Sequence, residues 1–484
     1  MNSNSTTTFL WHDYETFGTV PRSDRPAQFA AIRTNADLEE IGEAINIYCK
    51  PANDFLPDPQ SCLITHITPQ TCLERGIPEH EFAARIEREL AATGTIGVGY
   101  NTIRFDDEVT RFLFWRNLID PYAREWQNQC GRWDIMDMVR TCYALRPEGL
   151  QWPKNDEGKP SFRLEHLTAA NGITHDHAHD ALSDVRATIA LARLIKTQQP
   201  KLFDFCLALH KKDRVAQELG MPFLSQAFLH VSGMFGTERG CLAIMWPLAL
   251  HPSNKNEVIA WDLSEDPSEL TSQDLTTLQT RLFSKRDALP EGMQRLALKS
   301  IHINKSPIVI SNLKTLTSAN AERWNIDLAR IEKHLTIARE IGNAGSLNAQ
   351  FWAALYARKP LGILDVDEDL YGGFVSSADR RVLNELRSLS VEKLAKRDAH
   401  FQDDRLAELV FRYRARNFPS NLSAEEAQQW QDHRIARLIE GAHCARNVDA
   451  FFGQIDALSE NADEAEGAIL DALYDYAEMI VPIR

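Results

Sequence analysis

The chain has 484 residues, too many for a single compact core, so its length indicates two or three domains. A composition of 44% hydrophobic and 25% charged residues is ordinary for a globular protein, and a formal net charge of −15 argues against general polyanion binding. The sequence has no apolar run long enough to span a bilayer and begins without the features of a secretion signal. We therefore expect a cytoplasmic protein that does not enter membranes.

The first 200 residues alternate between strand and helix patterns. Residues 6–15 and 27–34 read as strands rich in aromatic and aliphatic side chains, and residues 95–101 read as a buried strand. Amphipathic helices are predicted over residues 81–93 and from Asp106 onward. Strands followed by helices predict an α/β domain with a mixed sheet and helices packed on it.

The remainder of the chain changes character twice. Short strand-like stretches separated by turn-rich segments occupy roughly residues 200–350 and predict a small β-rich domain. Residues 358–373 are rich in Pro, Gly and Asp and read as a linker, after which the pattern is helical almost throughout. We therefore predict three domains, with boundaries at residues 1–200, 201–357 and 358–484.

Two acidic residues, Asp13 and Glu15, stand two apart on the first predicted strand, so their side chains share one face. Carboxylates beside apolar strand residues are costly to bury unless a cation pairs with them. The alternative is that the strand ends there and that water solvates both acids. Taken alone, this pair is a weak signal.

Asp106 follows a buried-looking strand and opens a helix together with Asp107 and Glu108. Three acids in a first helical turn suit the helix dipole, and that role explains Asp107 and Glu108 whether or not Asp106 binds a metal. We select Asp106 as a candidate ligand because it lies nearest the strand end, where sites on open sheets tend to form.

A third acidic segment contains His179 in a loop and Asp184 inside the helix that follows, with Asp180 as a candidate N-cap. The structural alternative is a surface histidine with a solvent-facing aspartate. The same stretch also allows zinc binding by His175, His177 and His179. We disfavour zinc because no cysteine or histidine from another segment completes a tetrahedral set.

Three separated carboxylate segments predict a site for a pair of hard divalent cations, because such ions take oxygen ligands from several parts of a fold. A histidine beside the cluster can accept a proton from an attacking water, since its reference pKa lies close to working pH. The sequence thus predicts a two-metal phosphodiesterase site, with these catalytic residues: Asp13, Glu15, Asp106, His179 and Asp184.

The order Asp-x-Glu, then an aspartate about 90 residues later, then His-x-x-x-x-Asp resembles the DEDDh branch of the 3′→5′ exonuclease superfamily, which has an RNase H-like fold. Further blocks are similar to the bacterial exodeoxyribonuclease I family, in chain order HDYETFG, DRPAQFAAIRT, GYNTIRFDDEVTR, ALRPEG, SFRLEHLTAANGI, HVSGMFG, HINKSP and YRARNFP. The resemblance implies an exonuclease domain, an SH3-like β domain and a C-terminal helical domain that close around a nucleic-acid strand.

This resemblance also implies roles for the candidate residues. Asp13, Glu15 and Asp184 are implied to hold one magnesium ion and Asp13 with Asp106 a second, to activate water and to stabilise the leaving 3′ oxygen. Manganese suits the same oxygen ligands. His179 is implied as the general base. The implied reaction is processive release of 5′-mononucleotides from the 3′ end of single-stranded DNA, in repair or recombination.

Basic residues in a chain of net negative charge must line a local groove if they are to grip DNA. The block FRYRARNF, residues 411–418, interleaves arginines with aromatic rings that can stack on bases. Its structural alternative is an amphipathic helix with solvated arginines. The candidate substrate contacts are Glu15, Arg104, Arg163, Lys305, Arg412, Tyr413, Arg414, Arg416 and Phe418.

Arg146, in the loop ALRPEG, is a candidate for a protein-binding patch. The resemblance implies that the acidic C-terminal tail of single-stranded DNA-binding protein docks there. A groove closed by one chain needs no second subunit, so we expect a monomer.

Two alternatives remain open from the sequence. A ribonuclease of the oligoribonuclease kind shares all five catalytic positions, but its members have one domain and lack the nearly 300 residues that follow here. A non-catalytic single-stranded nucleic-acid-binding protein with a relic site is disfavoured by the intact acids and histidine.

Overall fold

The structure, a computed structural model, describes residues 7–175, 180–357, 362 and 364–482. The chain divides into two compact units. The first comprises Met1–Gly131, His175–Ile189 and Leu361–Arg484, and the second comprises Arg132–Thr174 and Ala190–Pro360. Each unit therefore combines segments that are distant along the chain.

Ten strands are present among the described residues: β1 Thr8–Thr16, β2 Pro26–Thr34, β3 Ile45–Tyr48, β4 Thr95–Gly99, β5 Gly131–Asp134, β6 Phe228–Val231, β7 Leu242–Leu250, β8 Glu257–Asp262, β9 Leu298–His302 and β10 Ile308–Ile310. The helices described there are α1 Pro59–Thr65, α2 Pro69–Arg75, α3 Glu79–Leu90, α4 Asp106–Arg116, α5 Met136–Leu145, α6 Leu164–Ala170, α7 Ala181–Gln198, α8 Pro200–Ala208, α9 Lys212–Glu218, α10 Glu269–Ser272, α11 Leu275–Phe283, α12 Ser318–Arg323, α13 Leu328–Ala344, α14 Ala349–Leu355, α15 Ser377–Ser388, α16 Val391–Lys396, α17 Arg405–Asn417, α18 Ala424–Leu438, α19 Val448–Ser459 and α20 Glu464–Ile480.

The first unit contains a mixed sheet in which β3, β2, β1 and β4 are neighbours in that order. Strand β1 pairs antiparallel with β2 and parallel with β4, and β2 pairs antiparallel with β3. The mixed sheet predicted for this region is therefore confirmed. In the β1–β2 pair, Asp13 lies opposite Ala30 and Glu15 lies opposite Gln28.

Alternate residues of β1 point to opposite faces of the sheet. Leu10 and Tyr14 join an apolar core with Phe29 of β2, Phe82 of α3 and Leu113 of α4. The odd-numbered positions of β1 therefore face the other side. The two acids of β1 lie on that second face, away from this apolar core.

The C-terminal helices α15–α20 share two further cores with the N-terminal segment, inside the first unit. Phe17 packs in one core with Phe451 of α19 and Tyr476 of α20. Trp115 of α4 packs in the other core with Leu409 of α17. The helical region predicted at the C-terminus thus folds onto the segment that carries the acidic residues.

The second unit contains a five-stranded sheet with the order β10-β6-β7-β8-β9, in which every neighbouring pair is antiparallel. The β-rich character expected in this part of the chain is confirmed, and helices α8–α14 lie in the same stretch. In the part of the chain that the structure describes, no helix has both the length and the apolar character needed to cross a bilayer.

Candidate active site

The site begins at the end of β1, where two acids follow a run of buried apolar residues. Asp13 is half-buried, and Glu15 is buried with 8% of its surface exposed. At this end β1 is paired with β2, whereas its pairing with β4 covers only Thr8–Trp11, and the ladder with β2 holds the two acids at fixed spacing. The prediction that both acids share one face of a strand therefore agrees with the register.

Helix α4 brings Asp106 to the same strand. The Oδ1 atom of Asp106 accepts a hydrogen bond from the backbone N–H of Tyr14, at 3.1 Å. The hydroxyl groups of Tyr14 and Thr110 also lie 3.0 Å apart, which joins the N-terminal part of α4 to β1 a second time. The neighbouring Asp107 is buried and pairs with Arg124, so only one of these two adjacent acids joins the site.

Helix α7 supplies the third acidic segment. Single oxygen atoms from Asp13, Glu15 and Asp184 lie within 4.8 Å of one another. Together with Asp106 these residues form what we call the acid cluster. Its four members come from two strand positions and the starts of two helices, separated by up to 171 positions (184 − 13) in the chain.

Burial and mutual repulsion act together on these carboxyl groups. Burial, followed by the charges of Asp106, Glu15 and Asp184, raises the pKa of Asp13 well above its ordinary value. Burial and the charges of Asp184, Asp106 and Asp180 raise the pKa of Glu15 to about 9. Burial and like charge therefore both oppose ionisation of Asp13 and Glu15, and added positive charge would favour it.

The donor set suits a hard divalent cation. Carboxylate oxygens are the ligands that Mg²⁺ and Mn²⁺ prefer, and the cluster offers them from β1, α4 and α7. A divalent cation would also offset the repulsion that raises the pKa values of Asp13 and Glu15. The acid cluster is therefore able to hold divalent metal.

The predicted general base, His179, lies outside the described residues, as does His177 of the zinc alternative. His175 is described: its Nε2 atom lies 2.5 Å from Oδ1 of Asp184, and its side chain is 6% exposed. The atoms that converge in the cluster are carboxylate oxygens, which favour a hard cation over zinc.

Two contacts around the acid cluster were not predicted from the sequence. One is the contact of His175 with Asp184, and the other joins Gln28 Nε2 to Asp180 Oδ1 at 3.4 Å. The position of Gln28 was a usable signal, because it is a polar residue inside the otherwise apolar strand segment AQFAAI. For His175 the sequence signal is its place in the histidine-rich stretch of residues 175–180, which indicates zinc binding and not a contact with Asp184.

The structure corrects part of the predicted DNA-binding set on α17. The side chains of Arg412 and Arg416 are 9% and 4% exposed, and Tyr413 is buried in the core that α17 shares with α4. Arg412 donates to Asp365 at 2.6 Å, and Arg416 donates to Asp54 at 2.8 Å. We therefore remove Arg412, Tyr413 and Arg416 from the candidate DNA contacts.

These arginines belong to an ion-pair cluster in the first unit, which we define as Arg25, Asp54, Asp365, Asp367, Arg412 and Arg416. The alternative considered for this helix, solvated arginines, is also wrong, because carboxylates of the protein engage them. Arg414 is half-buried and donates to Glu426 at 2.6 Å. Phe418 packs partly buried against the core of α4 and α17.

The remaining predicted contacts lie on exposed or half-buried positions. Arg104 is exposed in the short connection between β4 and α4. Arg163 is exposed and Lys305 half-buried, and both belong to the second unit. Arg146, the predicted partner-binding residue, ends α5 in the second unit, where its Nη1 lies 3.4 Å from the carbonyl oxygen of Thr315.

Three family models match the chain along most of its length. An exonuclease model covers residues 10–192, an exonuclease I SH3-like domain covers residues 210–358, and an exonuclease I C-terminal domain covers residues 364–480. The predicted combination of a mixed-sheet exonuclease domain, an SH3-like β domain and a C-terminal helical domain is therefore confirmed.

Individual relatives agree with the family models. Exodeoxyribonuclease I of Escherichia coli K12 is 45% identical over 98% of this chain and 98% of its own length. The crystal structure of E. coli exonuclease I with a dA16 oligonucleotide has a TM-score of 0.90 at 44% identity, covering 98% of this chain and 100% of that one. A crystal structure of SSB/exonuclease I with the inhibitor CFAM has a TM-score of 0.89 at 43% identity, covering 99% and 100%. The chain belongs to the exonuclease I family.

Proposed function

We propose that this chain is a processive 3′→5′ exonuclease that hydrolyses single-stranded DNA to 5′-mononucleotides with two magnesium ions at the acid cluster. The observation that carries this proposal is the convergence of Asp13, Glu15 and Asp184 within 4.8 Å, in a chain of the exonuclease I family. Manganese is expected to substitute for magnesium, because both ions accept sets of oxygen ligands.

Each residue of the acid cluster has a proposed task. Asp13, Glu15 and Asp184 would bind one ion, and Asp13 with Asp106 would bind the other. Bound ions supply activation of the attacking water and compensation of charge at the leaving 3′ oxygen. Asp106 is held in place by the backbone N–H of Tyr14, so its carboxylate keeps its position before metal arrives. Glu15 is also proposed to contact the substrate.

His179 is proposed as the general base that takes a proton from the attacking water. Its chain position, five residues before Asp184, is the support for this role. Removing a general base typically slows a reaction by about 10²- to 10⁴-fold. His179→Ala should therefore lower kcat within that range at saturating metal, and a variant within twofold of the parent would remove His179 from the mechanism.

The proposed DNA contacts are now fewer than the sequence predicted. They comprise the following positively charged or aromatic side chains: Arg104, Arg163, Lys305, Arg414 and Phe418. Single-stranded DNA as the ligand is supported by the E. coli relative, whose structure contains a dA16 oligonucleotide. Strand binding should weaken steeply with salt, because phosphate contacts release counterions.

Further parts of the proposal concern partners and organisation. Single-stranded DNA-binding protein as a partner is supported by the related SSB/exonuclease I structure. Its acidic C-terminal tail is proposed to dock at Arg146. The division into domains at residues 200 and 357 is supported by the spans of the three family models. We also propose a monomer that acts in repair or recombination in the cytoplasm, where bacterial DNA is held.

The test of the proposed function compares turnover on matched deoxy- and ribo-oligonucleotides by the full chain in magnesium. We expect faster release of nucleotides from the 3′ end of the DNA oligomer and progressive shortening of single molecules before new ones are attacked. Faster cleavage of RNA would favour the oligoribonuclease alternative. Binding of the DNA oligomer without any release would favour the non-catalytic alternative.

A further inference from the structure

The contact between His175 and Asp184 brings a histidine to a proposed metal ligand. Its Nε2 atom lies 2.5 Å from Oδ1 of Asp184, and the side chain of His175 is 6% exposed against 20% for Asp184. A carboxylate that binds a cation is ionised and only accepts hydrogen bonds, so in the metal-binding state Nε2–H of the imidazole would be the donor. The contact spans nine positions of the chain and is therefore not part of the hydrogen bonding inside α7.

The start of α7 is anchored separately. Oδ2 of Asp180 accepts the backbone N–H of Ser183 at 3.1 Å, as a helix cap does. Oδ1 of Asp180 lies 3.4 Å from Nε2 of Gln28, which is opposite Glu15 in the β1–β2 pair. These contacts hold the helix backbone beside the acid cluster. They do not fix the side-chain torsions of Asp184, which His175 contacts directly.

Metal sites depend on such supporting contacts. A hydrogen bond to one oxygen of a ligating carboxylate fixes its orientation, and its loss typically weakens metal binding by about 10- to 100-fold. The ligand-capable atoms that converge here belong to Asp13, Glu15 and Asp184, all carboxylates. His175 is not one of the residues whose ligand atoms converge, but it contacts one of them, Asp184. Its position is therefore that of a supporting residue and not that of a metal ligand.

We propose that His175 is a positioning residue of the metal site, holding the Asp184 carboxylate in the orientation in which it meets Asp13 and Glu15. This inference rests on the proposed function, because it assigns a task at the same site. Two histidines of one segment thus have different proposed tasks: His179 takes a proton from the attacking water, and His175 orients Asp184.

The test uses the metal-stripped full chain and the variants His175→Ala, His175→Gln and His175→Asn. Titration calorimetry with Mn²⁺ should give about 10- to 100-fold weaker binding for His175→Ala. The amide of glutamine reaches close to the position of Nε2, so His175→Gln should recover most of the affinity. The shorter His175→Asn should not, and this pair of variants carries the test if His175→Ala fails to fold.

Kinetics on a single-stranded oligodeoxynucleotide provide a second readout. In His175→Ala the magnesium concentration for half-maximal activity should rise by the same factor as the Mn²⁺ dissociation constant. Turnover at saturating metal should stay within about threefold of the parent, because the mechanism assigns His175 no contact with water or substrate.

A matched control is available elsewhere in the first unit. His433 also contacts a buried aspartate, with Nε2 lying 3.4 Å from Oδ2 of Asp54, and its side chain is 11% exposed. His433→Ala removes a comparable histidine–aspartate contact away from the acid cluster. The Mn²⁺ affinity of His433→Ala should equal that of the parent. This result would show that losing a buried histidine–aspartate contact does not by itself weaken metal binding.

The inference is overturned if His175→Ala binds Mn²⁺ as tightly as the parent does, whether or not kcat falls. The proposed function fails in a different way. If the parent binds no Mn²⁺, or if Asp13→Asn keeps full activity, the acid cluster is not the metal site and both proposals fall together.

Discussion

Two groups of buried carboxylates in the first unit respond to burial in opposite ways. In the ion-pair cluster, burial opposes ionisation of Asp54 and Asp367, but arginines of the protein outweigh it, led by Arg416, and hold both pKa values well below their ordinary range. In the acid cluster, burial and neighbouring carboxylates both raise the pKa values of Asp13 and Glu15.

The two clusters differ in the source of the positive charge that compensates their carboxylates. The ion-pair cluster contains its own cations, so it is complete when the chain folds and contributes to the stability of the fold. The acid cluster gathers like charges, which is a cost in the folded protein that a bound divalent cation would remove. Removing a carboxylate should therefore have opposite consequences in the two clusters.

The largest expected effect is on activity, in the acid cluster. Asp13→Asn keeps the size of the side chain but removes a ligand proposed to serve both ions, so kcat/KM should fall by about 10⁴-fold, or ~5.4 kcal/mol. The metal-free variant should unfold at the same temperature as the parent or a higher one, because the amide replaces a carboxyl group whose ionisation is opposed by burial and by neighbouring carboxylates. The control is Asp398→Asn, whose carboxylate is exposed.

An Asp13→Asn variant that retains activity and loses thermal stability would reverse the comparison. The acid cluster would then be a structural feature and the metal site would lie elsewhere.

The next effect is on stability, in the ion-pair cluster. Asp367→Asn leaves Arg412 and Arg416 without a shared carboxylate in a buried position. Breaking a buried ion pair typically costs about 3–5 kcal/mol, because the remaining charge stays buried and uncompensated. The free energy of unfolding, from urea denaturation of the full chain, should fall by that amount. Turnover by the folded fraction should stay within about twofold of the parent.

If Asp367→Asn proves as stable as the parent, the arginines of α17 are compensated by other groups. The contrast between the clusters would then be weaker than the contacts indicate.

The stabilisation of the folded chain by Mg²⁺ should also differ between variants of the two clusters. Mg²⁺ at about 100 times its dissociation constant should stabilise the parent by roughly 2.7 kcal/mol, since it binds the folded chain only. The same Mg²⁺ concentration should raise the melting temperature of Asp367→Asn by about as many degrees as it raises that of the parent. The melting temperature of Asp13→Asn should stay nearly unchanged. Equal shifts in all three proteins would mean that the ion acts at another place or non-specifically.

The smallest effect is the pH dependence of the metal-free protein. The pKa of Glu15 is raised to about 9 from an ordinary 4.5, so the folded chain holds a proton that the unfolded chain releases between these values. The free energy of unfolding should therefore fall as pH rises, by roughly 1 kcal/mol between pH 6 and 7. Denaturation in EDTA measures this slope, and Glu15→Gln should flatten it.

The ion-pair cluster predicts the opposite sign at lower pH. The pKa values of Asp54 and Asp367 lie below their ordinary value of 3.8, so the stability they contribute is present above that pH and lost as the solution becomes more acidic. A metal-free protein whose stability rises steadily from pH 5 to 8 would contradict the raised pKa of Glu15.

The class of the fold and the acids that meet in the cluster could be predicted from local patterns in the sequence. Alternation on β1 set Asp13 and Glu15 on one face, because side chains of a strand repeat every two residues. The helical pattern after a buried strand identified the start of α4 and hence Asp106. Local periodicity is a short-range property, so it can be recognised without knowing what packs against it.

Which charged groups pair with one another could not be predicted before the packing of the chain was known. On α17 the sequence pattern favours DNA contacts by Arg412 and Arg416, but both arginines pair with carboxylates of the protein. For Arg416 these are Asp54 and Asp367, which lie 362 and 49 residues away in the chain. Likewise, the sequence favours Asp106 as a ligand over Asp107, but only the packed structure shows that Asp107 pairs with Arg124 while Asp106 accepts from the backbone of β1. Residues so far apart along the chain meet only when the helices and strands pack together. A local sequence pattern therefore cannot identify them as partners.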